Sequence, residues 1–325
     1  MAELVDDRGM RQPSPLPRGL TGTAFSTRSA LEAGVSRRRL RASDLDTPFR
    51  GVRAPAGSTI AASPAAEHRR TAFLALCGAY CERAAPDEFF SHVTAARIWD
   101  LSLPSTLEER RGLDVAVFAP ANPPQGEGVR GHRLSRATSL KTKEGLPCVP
   151  PVEAWVELAA LLSVGDLIVA GDALMRRKHP LAAPEQIVDA LARSFRRPGT
   201  RRLRAAALLI RPGTDSPMET NMRLVLIRGG LPEPQIGYTV HDRDGFFVGT
   251  PDLAYVEEKI ALDYEGDIHR VNKSTFREDI ERREMFQDAG WRHIRVTNAH
   301  LGAPHRLVDR VSFALAQRRP SPNRD

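Results

Sequence analysis

Thr250-Pro251-Asp252-Leu253-Ala254-Tyr255-Val256-Glu257-Glu258-Lys259-Ile260-Ala261-Leu262-Asp263-Tyr264-Glu265 has the pattern of two strands and a tight turn. Two apolar runs rich in β-branched and aromatic residues flank the short Val256-Glu257-Glu258, which predicts strands over Phe246 to Tyr255 and Lys259 to Tyr264 joined as a hairpin. Side chains alternate along a strand, so Asp263 and Glu265 share one face while Leu262 and Tyr264 share the other. Ten residues separate Asp252 from Asp263. A turn at 256–258 then brings Asp252 close to the cross-strand neighbours of Asp263. Carboxylates crowded in an apolar sheet repel one another and resist burial. A divalent cation relieves that cost, because Mg²⁺ takes one or two carboxylates together with waters and phosphate oxygens. The plainer alternative is that Asp252 and Asp263 end exposed edge strands.

Working outward, Ser216-Pro217-Met218-Glu219 has Ser at the N-cap, Pro at the first helical position and Glu at the third. Met218, Met222, Val225 and Leu226 form the apolar stripe of the helix that follows. A capping box is by itself an adequate account of Glu219. After Gly229-Gly230 come a strand over Gln235 to Val240 and then the hairpin. A charged helix over Asn272 to Ala289, a strand over His293 to Thr297 and a helix over His300 to Gln317 complete the segment. The order is αβββαβα, a C-terminal mixed sheet flanked by helices, in a chain of α/β (α+β) class.

The rest of the 325 residues divides by composition. Residues 1–20 and 318–325 are polar, aperiodic and expected to be disordered tails. Residues 21–56 predict a small winged helix-turn-helix: Ser26 caps a helix over Thr27 to Ala33, Ser36 caps a second through Leu40, and Phe49-Arg50-Gly51-Val52-Arg53 forms a wing. Arg37, Arg38, Arg39 and Arg41 are its candidate DNA contacts, unless that run is an ordinary solvated face. Residues 66–180 form a middle α/β unit, with strands at Val115 to Phe118 and Val129 to Leu134 and helices over Pro151 to Ser163 and Val164 to Arg177. His92 and His132 lack metal-ligand spacing and are expected to be structural. Residues 184–213 make a basic helical connector to the C-terminal domain at 214–317.

Hydrophobic residues make up 41% of the chain and charged residues 27%, as in ordinary globular proteins, which excludes wholesale disorder and fibrous architectures. No apolar run approaches the ~20 residues that span a bilayer, and the first residues lack the basic start and apolar centre of a signal peptide. No membrane association and a cytoplasmic location are expected. Three cysteines are too few for a disulfide framework. The net charge of +7 favours polyanionic partners. Only five of the 47 basic residues are lysine, a bias that genome composition can also produce.

Ser216 to Leu301, about a quarter of the chain, resembles the restriction-endonuclease-like superfamily, the PD-(D/E)xK group, and most of all its very-short-patch-repair branch. The resemblance lies in Ser216-Pro217-Met218-Glu219, Thr250-Pro251-Asp252, Ala261-Leu262-Asp263-Tyr264-Glu265-Gly266-Asp267-Ile268-His269, Asp279-Ile280-Glu281-Arg282-Arg283 and Gly290-Trp291-Arg292-His293-Ile294. The branch commonly has Glu-x-Asp-Gly where this chain has Asp263-Tyr264-Glu265-Gly266, and the superfamily's lysine is absent. Thr23 to Pro55 resembles the N-terminal winged helix of AbiEi-type antitoxins.

The resemblance implies a metal-dependent DNA endonuclease that takes DNA, not a small molecule, as substrate. Asp252 and Asp263 would hold Mg²⁺ or Mn²⁺, and Glu219 would contact the metal or its water shell. Glu265 would orient the attacking water, and His269 would protonate the leaving oxygen or bind a phosphate. Arg270, Lys273 and Arg277 offer phosphate contacts, and Asp279 pairs most simply with Arg282 or Arg283 along the helix. The alternative is an antitoxin-like DNA-binding transcriptional regulator whose nuclease-like domain is inactive.

Overall fold

Two compact units divide the chain, one formed by residues 1–100 and 105–150 and the other by 101–104 and 151–325. Our computed structural model describes residues 13–61, 65–135, 138–195, 197–266 and 273–318, leaving out the side chains of 273–280. The chain is mixed α and β with open sheets. Among the described residues, no helix is long and apolar enough to cross a membrane.

In the first unit, β1 (Phe25–Ser26) leads into α1 (Thr27–Glu32), capped as expected by the Ser26 hydroxyl, which accepts from the Ser29 N–H. β2 (Leu45–Asp46) and β3 (Val52–Pro55) complete an antiparallel sheet of order β1-β3-β2. The expected second helix is only a turn followed by one 3-10 turn at Arg39–Arg41. Leu40 is pulled into the core, and the Arg39 guanidinium grips Asp44 at 2.6 and 2.8 Å, so the segment closes before an α-helix can extend. Residues 13–20 are not a free tail, since Leu16 and Leu20 pack on Phe25, Ala30, Val35 and Leu40.

The unit continues with α2 (Ala66–Cys81), β4 (Phe89–Phe90), α3 (His92–Ile98), α4 (Ser105–Glu108), β5 (Leu113–Phe118), β6 (Val129–Leu134), β7 (Lys141–Lys143) and β8 (Leu146–Cys148). Their sheet order is β6-β5-β4-β8-β7, which leaves β6 at an edge as its alternating burial requires. His132 is structural: its Nε2 lies 2.9 Å from the buried Asp114 carboxylate, and its ring stacks on His92 at 3.8 Å.

In the second unit, α5 (Pro151–Glu157) and α6 (Val164–Leu174) pack with the C-terminal elements, so the middle segment expected to run to 180 is divided at Pro150. The basic connector is two helices, α7 (Pro184–Arg193) and α8 (Thr200–Ala207), broken at Pro198-Gly199 where Gly199 has φ of 82°. After α9 (Pro217–Arg228) come β9 (Gln235–Ile236), β10 (Val240–His241), β11 (Phe247–Gly249), β12 (Leu253–Tyr255) and β13 (Ile260–Glu265). These are followed by α10 (Lys273–Asp288), β14 (Arg292–Thr297), α11 (Asn298–Gly302) and α12 (Pro304–Arg318).

The expected meander of three strands is therefore five short ones. β10 and β11 pair as a separate hairpin, and the main sheet has order β14-β13-β12-β9, with β13 and β14 parallel. Thr250-Pro251-Asp252 interrupts the long strand expected over Phe246 to Tyr255, because Pro251 has no N–H to donate to a ladder. On one face of the sheet, Leu253, Ile260, Leu262, Ile294 and Val296 pack with Met222 and Leu226 of α9 and Leu307 and Val311 of α12. On the other, Ala254 and Ala261 pack with Phe286, Ala289 and Trp291. Each large apolar side chain buried in this way contributes about 1.5–3 kcal/mol.

Candidate functional site

β12 and β13 pair with Leu253 opposite Leu262 and Ala254 opposite Ala261, so one step further along Asp252 faces Asp263. The two carboxylates exchange bonds with the backbone. The Asp252 N–H donates to Asp263 Oδ1 at 3.0 Å, and the Tyr264 N–H donates to Asp252 Oδ2 at 2.7 Å. The face assignment follows the alternation, with Asp263 on the side of Ala261 and Leu262 in the opposite core.

Glu219 enters from the first turn of α9, where the Ser216 hydroxyl accepts its N–H at 3.2 Å. The capping box expected from the sequence is only half formed. Glu219 Oε2 accepts the N–H of Asp215 at 2.9 Å, one residue upstream of the cap. α9 itself is held by a buried ion pair, in which Arg223 Nη2 meets Asp172 of α6 at 2.9 Å, with neither side chain exposed to solvent. Thr220 donates to the same carboxylate.

Burial pushes the Asp252 carboxyl up to about 7, and the neighbouring charges of Glu219 and Asp263 push in the same direction. Burial likewise raises Glu219 above the usual carboxylate range. Asp263 goes the other way. Burial acts to raise it, but the His293 hydrogen bond and the Arg282 charge outweigh that and hold it below its ordinary value. His293 Nε2 lies 2.7 Å from Asp263 Oδ2 and Arg282 Nη2 lies 3.0 Å from the same oxygen. Phe286 stacks on the His293 ring at 4.9 Å, fixing its plane.

Arg282 and His293 are the residues that sequence reasoning missed. The sequence pairs Asp279 most simply with Arg282 or Arg283 along the helix, and the Asp279 side chain lies outside the described residues; Arg282 reaches across to Asp263 of β13. The signal is present only as the i, i+4 spacing of Arg282 and Phe286, which turns both toward the sheet. Glu265 is also engaged: Arg295 of β14 donates to its carboxylate. That contact gives Glu265 an ion-pair partner at the position where the resemblance implies a residue that orients water. His269 and Arg270 lie outside the described residues, as do the side chains of Lys273 and Arg277. Far from this site in the sequence, Arg37, Arg38 and Arg41 are exposed, but Arg39 is committed to Asp44 and the Ser14 carbonyl and is removed from the candidate DNA contacts.

The donor set can be tested for a divalent cation. Among the described residues, no three His, Cys, Asp or Glu side chains are gathered in a geometry that would hold a metal ion. The Asp252 and Glu219 carboxyls are nevertheless both destabilised as anions, chiefly by burial. Two such carboxylates fit Mg²⁺ or Mn²⁺, which fills its remaining positions with water and substrate oxygens.

Compared with known proteins, the chain is 26% identical over 190 residues to two uncharacterized proteins of Mycobacterium tuberculosis, MT2308 of strain CDC 1551 / Oshkosh and Rv2248 of strain ATCC 25618 / H37Rv. The shared stretch covers 58% of this chain and 67% of each relative. No protein-family profile matches the chain, and no solved structure does.

Proposed function

We propose that the second unit carries a divalent-metal-dependent DNA endonuclease site related to the restriction-endonuclease-like superfamily, in a cytoplasmic protein. The observation that carries this reading is the facing of Asp252 and Asp263 at the end of the β12–β13 pairing, joined by reciprocal backbone bonds, where burial and then the charges of Glu219 and Asp263 raise the cost of ionising Asp252.

Asp252 and Glu219 would hold the cation. Asp263, clamped by His293 and Arg282, fixes Asp252 through the reciprocal backbone bonds, so the ligand carboxylate is set in place before metal arrives. The cation, when bound, polarises a phosphoryl oxygen and lowers the pKa of bound water. Hydrolysis adds a water oxygen to phosphorus and breaks the bond to the leaving sugar oxygen, which takes up a proton. Arg282 places positive charge beside the Thr250 carbonyl at the edge of the site, where an entering phosphate would meet it.

The alternative of a DNA-binding regulator rests on one observation: Asp263 and Glu265 already have cationic partners, which lets part of the acidic cluster stand without metal. A supercoiled-plasmid nicking assay with Mg²⁺, Mn²⁺ or EDTA separates the two. The nuclease reading expects metal-dependent nicking that Asp252→Asn abolishes. It also expects the metal-free variant to melt at the same or a higher temperature, while losing the rise in Tm that about 10 mM Mn²⁺ gives the wild type through preferential binding to the native state. No nicking of supercoiled, linear, mismatched or single-stranded DNA, with Asp252→Asn melting and binding DNA as wild type does, would leave the regulator reading in its place.

A further inference from the structure

The loop after α6, Arg176-Arg177-Lys178-His179, is a run of basic residues outside the acidic cluster, and its position is fixed by the same elements that hold that cluster. The Met175 carbonyl accepts the Gly213 N–H at 2.9 Å, and the Lys178 N–H donates to Asp215 Oδ1 at 2.9 Å. Arg177 grips Asp215 Oδ2 through Nε at 3.0 Å and Nη2 at 2.9 Å. Asp215 in turn gives its N–H to Glu219. On its other side Arg177 packs against Gly237, where a Cβ would lie 3.1 Å from Nη1, and the Gly237 N–H donates to the Asp252 carbonyl at 3.2 Å. Arg177 is thus one residue removed from both Glu219 and Asp252. Arg177, Lys178 and His179 are exposed.

A solvated basic loop has no reason to be tied down at four points beside an anionic site. We propose that this loop is a phosphate track that holds the nucleic-acid strand at the acidic site, with Lys178 contacting a backbone phosphate and Arg177, whose guanidinium holds Asp215, setting the loop in place. The inference rests on the nuclease reading and names the surface on which its substrate lies. The anchored backbone matters because a loop fixed in advance loses little conformational entropy on binding. Phosphate contacts of this kind carry affinity and register without sequence preference.

The test uses the full chain and a fluorescein-labelled DNA duplex in EDTA, with anisotropy read between about 50 and 200 mM salt, where phosphate contacts dominate the response. Lys178→Gln keeps the backbone bond to Asp215, so the fold is not at stake; Arg177→Gln is the second variant, with its Tm as control. Lys178→Gln is expected to weaken binding several-fold and to lower the slope of log K against log salt by about 0.9, Lys178→Arg is expected to restore both, and Arg177→Gln is expected to weaken binding by releasing the loop. In the nicking assay, Lys178→Gln is expected to raise KM with kcat unchanged. Wild-type affinity, slope and KM in both Gln variants, beside a wild type that binds and nicks, would overturn the track and leave the nuclease reading standing. A wild type that neither binds nor nicks DNA would overturn both.

Discussion

Two buried aspartates, Asp114 and Asp172, and the half-buried Asp252 are held differently, and their partners decide how. Asp114 is below its ordinary pKa: burial works against ionisation, but the His132 and Arg130 hydrogen bonds prevail. Asp172 is raised, because burial outweighs the Arg223 charge and the N–H of Arg211. Asp252 is raised by burial and by like charges, the arrangement that a cation stabilises. For Asp114 the consequence is a pH dependence. A carboxyl whose folded-state pKa lies below its unfolded value adds stability at pH above the unfolded value, and that stability is lost as pH falls through the folded one. Asp114→Asn should therefore cost about 1.5–3 kcal/mol at neutral pH, the usual worth of hydrogen bonds to a charged group. Chemical denaturation at pH 7 and below pH ~4 should show the gap between variant and wild type closing on acidification. A gap that stays constant with pH would mean that Asp114 acts by shape alone.

Helix boundaries are set by two different kinds of residue. Side-chain caps of the kind visible in a sequence work locally: Ser26, Ser163 and Ser216 each accept the N–H three residues on and start α1, α6 and α9. Gly199 acts through tertiary packing. It begins α8 at φ of 82°, and a Cβ there would lie 2.1 Å from the Ala159 carbonyl oxygen. Backbone cannot swing aside as the end of a side chain can. Gly199→Ala is expected to lower stability by about 3 kcal/mol or more, combining left-handed strain with a backbone clash. The check is a Tm comparison with Gly57→Ala, which shares the positive φ of 76° but meets nothing within 4 Å. Equal losses in the two variants would show that strain, not the close approach, is the cause.

Across the whole molecule, the net charge of +7 is unevenly used. Many arginines are spent inside the fold: Arg39 on Asp44, Arg53 on the Leu40 carbonyl, Arg130 on Asp114 and Arg223 on Asp172. The arginine-rich composition therefore overstates the surface available to a polyanion. Arg37, Arg38 and Arg41 remain exposed beside the β1-β3-β2 sheet. If that sheet and its 3-10 turn act on duplex DNA, replacing the three with Gln should lower the salt slope of binding by about 0.9 for each phosphate that these arginines neutralise. A slope equal to wild type in a titration from low to high salt would identify them as a solvated face.

Local features were legible in the residues themselves: the start of α9 at Ser216-Pro217, the two-residue alternation that turns Asp263 away from Leu262, the strand ending at Thr297, and the mixed α and β class. These depend on residues within one turn or one strand pairing of each other, where periodicity and capping act directly. The rest depended on packing between segments distant in the chain. Whether Phe246 to Tyr255 was one strand or two depended on which partners the backbone found on each side of Pro251. Arg282 could be matched to Asp279 or Asp263 only once α10 lay against the sheet, since a charged side chain pairs with whichever carboxylate packing brings within reach. The parallel pairing of β13 with β14, which places His293 and Arg295 beside Asp263 and Glu265, joins segments about thirty residues apart. No local pattern encodes that register; burial of Ile294 and Val296 against Leu253 and Leu262 selects it.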